Sequence, residues 1–255
     1  MSLGSSGRRG TSPAASPRPA WVLAGLYLFG IGFGFVEAAV VVDLRAVLAP
    51  AAAHTTARLD GELFPMIPPE RLARDNPTAA RLLRIEVLRE AATLVLLAGA
   101  GLAIGRTFAG RFAAFVAAFG VWDLTYYLFL KCLIGWPASV WTWDILFLVP
   151  VPWSAPVLAP ALVAATMVAA GSIVLVEEAC GRTFRISGRE WTALVAGGMI
   201  LIASFCWDWR SIAAGEMPGA FPWPVFLAGE AVGLGGFVHA WRSCRPVVVE
   251  CVAAT

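Results

Sequence analysis

Residues 111–134 read RFAAFVAAFGVWDLTYYLFLKCLI, and only Arg111, Asp123 and Lys131 among them carry charge. A helix needs about 20 mostly apolar residues to cross the hydrocarbon core of a bilayer. This run is too long for a buried strand, and its apolar residues do not keep to one face as in an amphipathic surface helix. It predicts a membrane span with an acid at mid-length and a lysine, the only one in the chain, near its far end.

Five further stretches meet the same test: 20–43, 86–105, 155–177, 191–208 and 223–241. Composition agrees. The 255 residues are 59% hydrophobic and 14% charged, with a mean hydropathy of +0.75. An ordinary soluble domain carries about 25% charged residues. Too few charges remain to cover a water-facing surface, which excludes a soluble enzyme. A net charge of +2 is too small to hold a polyanion, so no nucleic-acid partner is expected. The predicted fold class is all-α, a polytopic transmembrane helix bundle of six spans, or seven if 140–152 also crosses. That segment, VWTWDILFLVPVP, is followed by Pro156 and Pro160. Proline removes a backbone donor and clashes with the preceding turn. A proline-broken interfacial or re-entrant segment, a short helix within 140–156, is the expectation.

Residues 1–19 are rich in Ser, Pro, Gly and Arg and read as a disordered tail. A single membrane domain is expected over 20–245, with a C-terminal tail at 246–255. The run from Trp21 exceeds a signal-peptide core and reads as a retained first span. An outer loop is expected at 44–85, where Asp60-Gly61-Glu62, Pro68-Pro69 and Asn76-Pro77 are turn signals. Arg residues in short loops set orientation. Arg8, Arg9, Arg18, Arg106, Arg111, Arg182, Arg185, Arg189, Arg242 and Arg245 share one side if both termini are inside. The expected location is therefore the inner membrane with N- and C-termini cytoplasmic. Trp136, Trp141, Trp143, Trp153, Trp207, Trp209 and Trp223 then fall at the outer boundary, as an aromatic lid lying on the membrane.

An ionisable side chain inside a span costs about 2.5–3.5 kcal/mol at the centre, so each one suggests a site. Glu37 stands on the first span, Glu86, Arg89 and Glu90 on the second, Asp123 and Lys131 on the third, and Glu230 on the sixth. Helix rise puts Glu37 and Glu230 about 9–10 Å, and Asp123 about 16 Å, below the outer end of their spans. Glu37, Glu90, Asp123 and Glu230 are expected to share an outward-facing intramembrane cavity. Tyr127 would link Asp123 to Lys131 along one helical face, and Arg89 would pair with Glu86 or snorkel outward. Gly30 and Gly34 beside Glu37, and Gly229, Gly233 and Gly236 beside Glu230, predict close helix approach. Trp143-Asp144 and Trp207-Asp208 read as rim positions that could line the entrance.

Buried carboxylates are neutralised by protons, by a cation or by basic side chains. Oxygen ligands suit Na⁺, Ca²⁺, Mg²⁺ or Mn²⁺. The first reading is therefore a membrane protein that binds or transports a cation, proton or small solute at Glu37, Glu90, Asp123 and Glu230, with Lys131, Tyr127 and Arg89 nearby. A structural subunit meeting a membrane-protein partner through its Trp-rich outer face is the alternative. A further one is an intramembrane enzyme on a lipid-linked substrate, with Asp123 or Glu90 as base. No motif identifies a cofactor. The five cysteines form no C-x-x-C pair and read as buried thiols.

Overall fold

A computed structural model of the chain describes residues 19–52, 74, 76–182 and 184–243. It is 76% helix. In chain order the described elements are α1 (Pro19–Ala52), α2 (Pro77–Ile104), α3 (Phe108–Ile134), β1 (Trp143–Phe147), β2 (Trp153–Pro156), α4 (Leu158–Ala179), α5 (Gly188–Phe205), α6 (Trp209–Ala213) and α7 (Trp223–Ser243). Residues 1–18 of the expected tail at 1–19, the expected tail at 246–255, and residues 53–73 of the expected loop at 44–85 lie outside the described residues.

Four helical stretches are long and apolar enough to cross a membrane: Pro19–Ala46, Ala80–Ile104, Phe108–Ile134 and Leu158–Ala179. The other two expected spans form helices, α5 and α7, but do not belong to that set. Arg189 and Glu190 open the 18-residue α5, while α7 contains Glu230, His239, Arg242 and four glycines. Helix also reaches further into 44–85 than the turn signals predict, to Ala52 from one side and from Pro77 on the other. Pro77 suits a first helical turn, where its missing N–H costs nothing.

Local chemistry sets the ends of α3. Thr107 caps its start by accepting from Gly110 N–H, and Gly135 ends it at φ 71°, a left-handed conformation that favours glycine. Helix α3 is the centre of the bundle, and α1, α2 and α4 all pack on it. Small residues permit this. A Cβ on Gly34 would sit 2.2 Å from Thr125 Oγ1, and one on Gly171 would meet the Ala113 carbonyl at 2.5 Å. The second glycine face works in the same way, with Gly229 and Gly233 of α7 lying against Gly197 of α5. Backbones approach closely where side chains are absent, the rule by which small residues let helices pack tightly.

The segment expected as a short helix within 140–156 is instead an antiparallel hairpin, β1 paired with β2 from Trp143↔Pro156 to Phe147↔Trp153. Prolines at 150, 152 and 156 deny a helix its donors, while Trp143, Ile145 and Phe147 alternate with period two. The hairpin also changes the role of the tryptophans. Trp153 stacks on Phe205 at 6.2 Å, Trp143 meets Phe221, and Trp223 meets Phe226. Trp136 is buried with the Arg45 guanidinium 4.1 Å above its ring. Much of the expected lid is thus packed aromatic core, leaving Trp141, Trp207 and Trp209 exposed from that group. Cys132 and Cys206 are free thiols, but Cys180 is disulfide-bonded.

Candidate functional site

Helix α5 packs along α7 and touches β2, but has no comparable backbone interface with α2, α3 or α4. The gap is a cavity of about 840 Å³. At one end the hairpin covers it, through Asp144, Phe147, Leu148 and Trp153. At the other, Trp191 of α5 closes on Phe108 and Phe112 of α3, each with ring centroids 5.4 Å apart. Between these ends the walls are apolar, including Val163, Met167, Leu194 and Leu201.

Polar groups collect toward the hairpin. The cavity wall contains six carboxyl groups, from Glu37, Glu86, Glu90, Asp123, Asp144 and Glu230, and one guanidinium, that of Arg89. They come from α1, α2, α3, β1 and α7. Arg89 grips Glu86 one turn earlier with both arms of its fork, Nε to Oε2 at 2.9 Å and Nη2 to Oε1 at 2.5 Å. Its Nη1 reaches across to Glu37 on α1 and donates to Thr93 Oγ1 at 3.2 Å. A planar guanidinium is suited to such bidentate binding, which fixes α1 against α2.

The remaining acids are held differently. Glu90 accepts from the Leu148 backbone N–H at 2.9 Å, tying α2 to the turn of the hairpin. Asp144 is 1% exposed; its Oδ2 accepts from the Tyr127 hydroxyl at 3.0 Å, while Oδ1 has no hydrogen-bond partner. The indole N–H groups of Trp122 and Trp153, both on the cavity wall, are also without acceptors. Asp123 lines the same cavity from the middle of α3. Glu230 lies beside the Thr166 hydroxyl. No ion pair involves Glu90, Asp123 or Glu230 among the described residues. Burial pushes the Asp144 carboxyl up to about 6, against the opposing pull of Arg45 and its bond to Tyr127.

Glu37, Glu90, Asp123, Glu230, Arg89 and Tyr127 thus all face one cavity. Tyr127 bonds to Asp144 rather than bridging Asp123 and Lys131. Lys131 lies outside the cavity wall, its ammonium donating to the carbonyls of Gly135 at 3.0 Å and Pro137 at 2.8 Å. Sequence reasoning placed Asp144 at the rim and did not identify it as a member. The period-two pattern around it was the available signal. Among the described residues no three His, Cys, Asp or Glu side chains are grouped so that they could hold a metal ion. The acids line a chamber without converging on a point. No family model matches the chain, and neither a curated protein nor a solved structure matches it.

Proposed function

We propose that this is a six-span membrane protein that binds a cationic solute, or carries protons, at a carboxylate-lined cavity in the outer half of the bilayer. The single observation behind this reading is the charge imbalance of the cavity wall, six carboxyl groups against one guanidinium. Arg89 satisfies Glu37 and Glu86. Glu90, Asp123 and Glu230 retain acceptor capacity that a cation or a proton can use. Spans α5 and α7 complete the six, with both termini in the cytoplasm. Lys131 lies outside the cavity wall and is directed to two carbonyl groups, so it does not serve a headgroup held in the cavity. That observation favours solute binding over the lipid-linked enzyme.

Asp123→Asn preserves shape and removes the charge. In proteoliposomes it is expected to abolish uptake or proton movement while leaving the amount of inserted protein unchanged. Normal activity in both Asp123→Asn and Glu37→Gln would overturn the reading. A subunit that meets its partner through exposed Trp141, Trp207 and Trp209 would lose co-purification instead. Orientation has its own check. With Cys132 and Cys206 replaced by alanine, Ala138→Cys is expected to react in intact cells with a membrane-impermeant maleimide.

A further inference from the structure

The cavity is far larger than any site for a bare metal ion or proton. Its volume of about 840 Å³ lies within the range of pockets for organic ligands, about 300–1,000 Å³. It follows α5 from Trp191 to Phe205, a run of about 21 Å by helix rise. Acids stand toward the hairpin end, and the long remainder is apolar.

Aromatic rings stand beside the acids. Phe119 and Trp122 are 5.1 Å apart, Phe119 and Phe147 6.3 Å, and Phe147 and Trp153 5.5 Å, and all four line the cavity. Aromatic faces and carboxylates together favour an ammonium group. Asp144, whose Oδ2 accepts from the Tyr127 hydroxyl, adds a further negative group to this end of the wall.

The opening lies to the side. Phe112, Val195, Met199, Ile202 and Leu234 line the cavity and are each at least 37% exposed. In a bilayer this rim meets acyl chains, whereas the hairpin covers the end nearest the polar groups.

We infer that the cavity takes a single-chain amphiphile with a primary ammonium head, entering sideways from the bilayer with its head at the hairpin acids and its chain along α5. This rests on the carboxylate-cavity reading above and names its ligand class. A soluble amine would leave the apolar length unfilled, and a fatty acid would place a seventh carboxylate among six.

The test uses the full chain in phosphatidylcholine nanodiscs, with ω-bromododecylammonium as a quencher of tryptophan fluorescence. Trp122, Trp153 and Trp191 line the cavity and report its occupation. The expected result is saturable quenching that unbrominated dodecylammonium reverses, with ω-bromododecanoate quenching far less. Butylammonium is expected to compete at least about 100-fold more weakly, since each buried CH₂ contributes about 0.8 kcal/mol. Asp123→Asn is expected to weaken binding about tenfold, the loss of one charge-assisted contact. Gly198→Phe supplies a second variant, read where its melting curve matches that of the wild type. Gly198 lines the cavity, and a Cβ there meets nothing within 4 Å. It is expected to weaken dodecylammonium binding far more than butylammonium binding.

Equal binding of butyl- and dodecylammonium would overturn the amphiphile and leave the carboxylate site standing. Failure of both amines to bind would overturn the amphiphile and the solute-binding reading together. Equal binding of the fatty acid, or wild-type dodecylammonium affinity in Gly198→Phe, would also overturn the inference.

Discussion

Carboxylates are buried at both ends of this bundle, and they are treated in opposite ways. At the end remote from the hairpin, Glu178 accepts the backbone N–H groups of Arg106 at 3.0 Å and Thr107 at 2.6 Å, bracing the turn between α2 and α3. Glu190 closes the capping box of α5 with Ser187 and meets His239 Nδ1 at 2.7 Å. Each acid there has its own partners and a visible structural task. At the hairpin end, Glu37 and Glu86 share one guanidinium, while Glu90, Asp123 and Asp144 face a common chamber. Buried charge alone therefore does not mark a site. What separates the two ends is a shared space and acceptor capacity left over.

Arg89→Met attacks the comparison at its strongest point. Removing one partner of a buried ionic group costs about 3–5 kcal/mol, because the other charges remain buried. Here two carboxylates lose their cation, so a large fall in thermal stability in detergent is expected. Adding Glu37→Gln should recover part of it, and full stability in the single variant would show that the cluster does not hold α1 to α2.

Glu178→Ala probes the opposite end. It removes two charge-assisted bonds and leaves two backbone N–H groups unsatisfied, for a loss of about 2 kcal/mol. Ligand binding should be unchanged, because Glu178 is not on the cavity wall. A binding defect in this variant, once stability is matched, would erase the distinction between the ends.

The smallest effect concerns pH. The Ser187 backbone N–H, followed by His239, holds the Glu190 carboxyl below its ordinary value. A lowered folded-state value stabilises above the unfolded carboxylate range, about 4.3, and this is lost as pH falls through the folded value. The wild type should therefore lose more thermal stability on acidification than Glu190→Gln, as read by paired melting curves. Parallel curves would remove the capping box as a pH-dependent support.

Asp144 behaves in the reverse sense. Its value is raised to about 6, so the folded state holds its proton longer than the unfolded chain. Stability falls as pH rises from the ordinary aspartate range toward 6. Asp144→Asn should flatten that slope, and an unchanged slope would show that this carboxyl is not held in the buried setting described.

Several of these features were readable in the chain. Asp123 stands in a run with no other charge for eleven positions before it, so its place in the middle of an apolar helix was evident. Gly30, Gly34 and Glu37 share a face by helical spacing, and Gly34 does seat against Thr125. The pairing of Arg89 with Glu86 follows from their separation of three residues. Its second grip on Glu37 does not, because 52 residues separate them and only helix rotation brings them together. Lys131 illustrates the opposite error. Its spacing from Asp123 suggested a shared face, but the loop after α3 returned two carbonyls to its ammonium.

Hydropathy is a sum over neighbours in the chain, so the sequence alone determined that several helices are long and apolar enough to cross a membrane and which acids they carry. Whether acids on separate helices meet depends on displacements of a few ångströms and on rotations about helix axes, which no local sum contains. The hairpin over the acids, the stand-off of α5 and the cavity between them arise from packing among distant segments, and only the tertiary structure decided them.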